Sequence, residues 1–141
     1  MLLLGTINTS TQDLAVDDLI NFGSVYRRYD KRTCGVRTFE LDGTSIVLQS
    51  AGIYHVTAVI TYSADAAGDV TFSLLENNVA TNEVTTTVVA AANNTTTLDY
   101  YVLVNNNNVL NAPSVFKTIS VSNTGIAATV TNIVVNIDKV V

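Results

Sequence analysis

Residues 52–63 read Gly-Ile-Tyr-His-Val-Thr-Ala-Val-Ile-Thr-Tyr-Ser. Tyr54, Val56, Ala58, Ile60 and Tyr62 recur at every second position. His55, Thr57 and Thr61 fall on the opposite face, together with Ile53 and Val59. A period of two built from aromatic and β-branched side chains is the pattern of a strand that buries one face. This stretch sets an all-β reading, and the sequence around it repeats the pattern.

Ala64-Asp65-Ala66-Ala67-Gly68 breaks the strand, and Asp69–Glu76 resumes it with Val70, Phe72 and Leu74 inward. Asn77-Asn78 is a turn signal, and the strands over 52–63 and 69–76 are expected to form a hairpin. Val79–Ala90 is rich in Thr and Val, and Asn93-Asn94 turns the chain again. Thr95–Val104 places Leu98, Tyr100, Val102 and Val104 on one face. Asn105–Asn108 is a loop, because Asn tolerates left-handed backbone. Val115–Val121 is a further strand after Pro113. Ala127–Val140 is a long one, with Ile133, Val135 and Ile137 facing one way and Val130 and Val134 the other. Thr38–Leu41 and Ser45–Leu48 form two short strands around Asp42-Gly43. The expected architecture is an antiparallel jelly-roll sandwich of about 8–10 strands. Gln12–Asn21 hints at helix but reads as a turn or extended arm. Residues 1–35 are more polar and hold four of the seven basic residues. They are set apart as an N-terminal arm or peripheral attachment segment, with the jelly-roll domain spanning 36–141.

Composition narrows the function. The chain of 141 residues is one domain's worth. It has one cysteine, Cys34, so no intrachain disulfide can form. Charged residues make up 13% and apolar residues 48%, whereas about 25% charge is usual for a soluble domain. Thr, Ser, Asn and Ala take the place of the missing charge, which suits a surface largely covered by neighbours. A net charge of −5 argues against nucleic acid as a partner. No stretch approaches the roughly 18 apolar residues of a membrane span.

Few titratable groups are placed to do chemistry. His55 is the lone histidine. It sits mid-strand with no nucleophile elbow, and reads as a residue on a sheet surface or subunit interface. One His and one Cys cannot build a zinc site. Asp65 and Asp69 flank Gly68 without a calcium-loop pattern and read as turn residues. Cys34, next to Arg32 and Thr33, has no partner nearby in sequence and reads as inert. No catalytic residue, metal ligand or cofactor is assigned, and the chain is not expected to be an enzyme. Arg27, Arg28, Lys31, Arg32 and Arg37 form the main concentration of positive charge, interleaved with Tyr26 and Tyr29. They are candidates for contact with a partner protein or a sister subunit.

Leu48-Gln49-Ser50-Ala51-Gly52-Ile53-Tyr54-His55-Val56-Thr57-Ala58-Val59 resembles the aGxYxVxxxV strand of the tumour necrosis factor-like and complement-type jelly rolls. Val70–Asn78 is similar to the hairpin that follows in that superfamily, with Asn78 where Gly is usual. Ile126–Val135 is similar to the closing strand of short versions from bacteriophages and prophages, in which a segment like Gly23–Arg28 precedes the sandwich. The resemblance covers residues 20–141. It implies a homotrimer, with Tyr54, Tyr62, Tyr100 and Tyr101 as core or trimer contacts. It further implies a virion structural protein, assembled in the host bacterial cytoplasm, that decorates a phage head or forms an auxiliary capsid or head-fibre part. Capsid or other virion proteins are the expected partners. The alternative is a receptor- or carbohydrate-binding module that meets a host-surface glycan.

Overall fold

The computed structural model describes residues 2–29, 39–104 and 117–140. Eleven strands occur among them, and no helix. They are β1 (Leu2–Asn8), β2 (Gln12–Leu14), β3 (Ser24–Arg28), β4 (Phe39–Asp42), β5 (Ser45–Leu48), β6 (Gly52–Ser63), β7 (Gly68–Glu76), β8 (Val79–Val88), β9 (Asn94–Val104), β10 (Lys117–Asn123) and β11 (Ala128–Lys139). The first sheet runs β3-β1-β11-β6-β9, with β2 pairing on β11. The second runs β4-β5-β10-β7-β8. Every pairing is antiparallel. From β5 onward most connections cross from one sheet to the other, which is the jelly-roll arrangement expected from the sequence.

The core lies between the sheets. From β6 it takes Tyr54, Val56, Ala58, Ile60 and Tyr62, and from β7 Val70, Phe72 and Leu74. Tyr62 and Phe72 meet edge to face across the two sheets, centroids 4.9 Å apart. Tyr62 keeps its hydroxyl satisfied by bonding Thr96 Oγ1 at 2.9 Å. Each fully buried large side chain contributes about 1.5–3 kcal/mol relative to exposure.

Several expectations need correction. The 52–63 and 69–76 strands are not a hairpin: β6 and β7 belong to different sheets, and β7 turns back onto β8. The turn is Asn77-Asn78, with φ of 52° and 65°. That is the left-handed pair a tight two-residue hairpin requires and Asn tolerates. In β11, Val130 faces the core with Ile133 rather than lying opposite, because the register shifts between Val130 and Asn132. The extra residue of the bulge re-phases the alternation.

Residues 1–35 are not a detached arm where they are described. β1 lies between β11 and β3 and buries Leu3 and Leu4. Leu14, Ile20 and Phe22 are core residues as well. The stretch 12–21 is strand β2 followed by a turn that crosses to the second sheet. There Ile20 N–H donates to Val121 O at 2.8 Å and Phe22 N–H to Gly43 O at 2.9 Å. The physical reason is that β11 has apolar residues on its inner face along its whole length, and β1 and β2 are the strands that continue the sheet beside it.

Candidate functional site

The outer face of the first sheet carries the unusual chemistry. Cross-strand register sets its rows. On β6 and β9, Ile53 lies opposite Leu103, His55 opposite Tyr101, Thr57 opposite Asp99 and Val59 opposite Thr97. On the other side of β6, Asp138 of β11 lies opposite His55, Asn136 opposite Thr57 and Val134 opposite Val59. Val140 N–H donates to Ile53 O at 2.8 Å and continues the first row.

One end of this face is apolar and uncovered. Tyr101 is 66% exposed, Val140 55% and Leu103 49%, with Ile53 about a third exposed beside them. Isolated exposed apolar residues are ordinary, but adjacent ones on a flat sheet mark an interaction surface. His55 and Tyr101 stack with centroids 4.9 Å apart and planes 22° from parallel. His55 Nε2 hydrogen-bonds Asp99 Oδ1.

The opposite edge of the same sheet is basic and aromatic. β3 is exposed throughout, and carries Tyr26, Arg27 and Arg28. Tyr26 lies flat over Gly5 of β1, where an added Cβ would sit 2.5 Å from its ring, and its hydroxyl bonds Asn136 Oδ1. That close approach is why Gly stands at position 5. Tyr29 follows, half exposed, its N–H donating to Leu3 O at 2.8 Å.

The proposed contact residues separate accordingly. Tyr54 and Tyr62 are fully buried in the core, Tyr100 packs partly against it, and Tyr101 stands on the outer face. Burial pushes the Tyr54 phenol pKa up, while the Ser50 side chain pulls the other way. Arg27 and Arg28 share the β3 edge. Lys31, Arg32, Arg37 and Cys34 lie outside the described residues, as does Asn105–Asn108. Sequence reading did not single out Leu103, Val140 or Asp99. Their signal was the odd-numbered positions of β9, which join Ile53 and His55 only once the β6–β9 register is known.

Two shallow clefts lie elsewhere. One is bordered by Asp13, Asp18 and Asp65. Its carboxylates serve the fold: Asp18 Oδ2 accepts from Ala15 N–H at 2.8 Å and Asp13 Oδ1 from the Thr129 hydroxyl at 2.9 Å. The other, beside Asn8, Gln12 and Asn21, has its amides bonded to one another and to local backbone. Among the described residues no group of three or more His, Cys, Asp or Glu could hold a metal ion.

With this geometry in view, the likeness to solved structures is informative. The globular domain of zebrafish complement 1qA protein superposes with a TM-score of 0.65 at 7% identity, over 98% of this chain and 96% of that one. Eiger TNF from S. frugiperda superposes at 0.66 and 9% identity, over 99% and 93%. The chain has a TNF/C1q-type jelly-roll fold. The PRD1 vertex protein P5 superposes at 0.54 and 15% identity, over 99% of this jelly roll and 97% of its own chain. At such identities the likeness is one of fold. No protein-family model and no curated protein matches the sequence.

Proposed function

We propose that this jelly roll is a non-enzymatic structural protein of a bacteriophage particle: a head decoration, auxiliary capsid or head-fibre protein that assembles as a homotrimer. The observation that carries the reading is the uncovered apolar end of the first sheet, Tyr101, Leu103, Ile53 and Val140, on a chain with few charges. Sister copies satisfy such a surface by packing it away from water. The two sides of the sheet complement each other in charge, with Arg27 on β3 and Asp99 and Asp138 on β9 and β11. Head-to-tail contacts between opposite ends close into a ring when the rotation permits. The fold likeness to the PRD1 vertex protein P5 supports a place on the particle. In this reading β3 serves the ring, and the basic residues that follow it in the sequence, Lys31, Arg32 and Arg37, contact the capsid.

The test has two parts. Native mass spectrometry of the purified chain should give three protomers per complex. Protein probed in purified particles should co-sediment with the capsid. A monomer at every concentration overturns the assembly, and absence from particles overturns the virion role.

A further inference from the structure

His55 stands on the outer face between two carboxylates. Its ring bonds Asp99 of β9, and its register partner on β11 is Asp138. Tyr101, also from β9, stacks on the same ring. The His55 side chain is 28% exposed and that of Asp99 59%, so water still screens the pair in a lone protomer. Lys139, next along β11, is turned away: its Nζ bonds Ser50 Oγ at 3.0 Å and lies over the Tyr54 ring.

Covering this face changes the balance. Two carboxylates leave water together with an imidazole and an apolar rim of Tyr101, Ile53 and Leu103. The exposed Arg27 on the complementary end of a second copy supplies one positive charge. With neutral His55 one negative charge is left uncompensated under cover, and desolvating it is costly. With protonated His55 the two positive and two negative charges match.

Resting on the homotrimer reading, we infer that His55 is a proton switch for assembly, and that docking of a second copy of this chain takes up a proton from solvent at its imidazole. The sign follows from linkage. The covered state holds the proton better than the free one, so association tightens as pH falls through the imidazole range and loosens as pH rises through it.

The experiment is dilution of the full chain, followed by single-particle mass measurement, at about pH 5.5 and about pH 8. The parent protein should dissociate at a concentration about tenfold lower at the acid value than at the alkaline one. His55→Gln keeps a hydrogen bond to Asp99 but cannot titrate, and should dissociate at the same concentration at both values. Asp99→Asn removes one of the two carboxylates, and should shrink the difference. A trimer that dissociates identically at both values overturns the switch and leaves the trimer standing. A pH difference that survives unchanged in both variants also overturns it. A lone protomer at both values overturns switch and trimer together.

Discussion

Single residues set the chemistry of the interior. Tyr54 is fully buried with its hydroxyl donating to Ser50 O at 2.6 Å. Its pKa lies above the usual 10 for a tyrosine, chiefly because burial disfavours the phenolate. The folded value exceeds the unfolded one, so this contribution is fully present below about pH 10 and is lost as pH rises through the folded value. Tyr54→Phe should cost about 1 kcal/mol at neutral pH through the lost hydrogen bond. It should also flatten the loss of stability on alkaline titration, read from urea midpoints on either side of pH ~10. Gly125 tests backbone proximity instead. A Cβ there would stand 2.5 Å from both Asp69 O and Thr71 N. Backbone cannot step aside as a side chain can, so Gly125→Ala should destabilise by about 1–3 kcal/mol in denaturant unfolding. Buried Tyr54 and Tyr62 were legible from the period of two alone. The exposure of Tyr101 was not, because alternation sets it opposite Tyr100 but does not say whether that face is covered.

Strands β6, β7, β9 and β11 were legible because each is long and largely alternates. What the sequence left hidden was pairing. Antiparallel partners of β6 come from residues 94–104 and 128–139, far along the chain, and no local signal encodes so distant a register. The same blindness explains the arm. Residues 2–8 are a seven-residue strand of ordinary composition, and their place beside β11 depends on contacts more than a hundred residues away. Leu4 decides between arm and core. It is fully buried, so Leu4→Ala should cost about 2–5 kcal/mol by thermal or urea unfolding. A free arm would show no change. Low charge also has an explanation among the strands of the second sheet. Thr71 and Thr85 bond hydroxyl to hydroxyl at 2.8 Å, Ser73 bonds Thr124 at 2.9 Å, and Thr87 donates to Asp69 at 2.7 Å. Hydroxyl pairs do much of the cross-strand bonding on that surface, beside one ion pair among the described residues, Lys117–Glu76 at 3.6 Å.

For the whole molecule, the open matter is what covers the first sheet. Tyr101→Ser combined with Leu103→Ser removes the most exposed aromatic and a neighbouring aliphatic from the outer face without touching the core. In the homotrimer reading this pair should convert the complex to folded protomers, with the far-ultraviolet spectrum unchanged and the native mass reduced to one chain. The same changes in a protein that never associates would alter neither.

The pairing of β1 with β11 has a consequence for how the protein is made. β11 holds β1, β2 and β6 in one layer, yet it follows all three in the chain. Until residue 139 is clear of the ribosome, those strands have no shared partner, and their open edges stay unzipped. Folding of this layer therefore waits for synthesis of β11 and is paced by closure of a very long loop. Nascent chains crowded on one message would be most exposed to mispairing with each other during that interval.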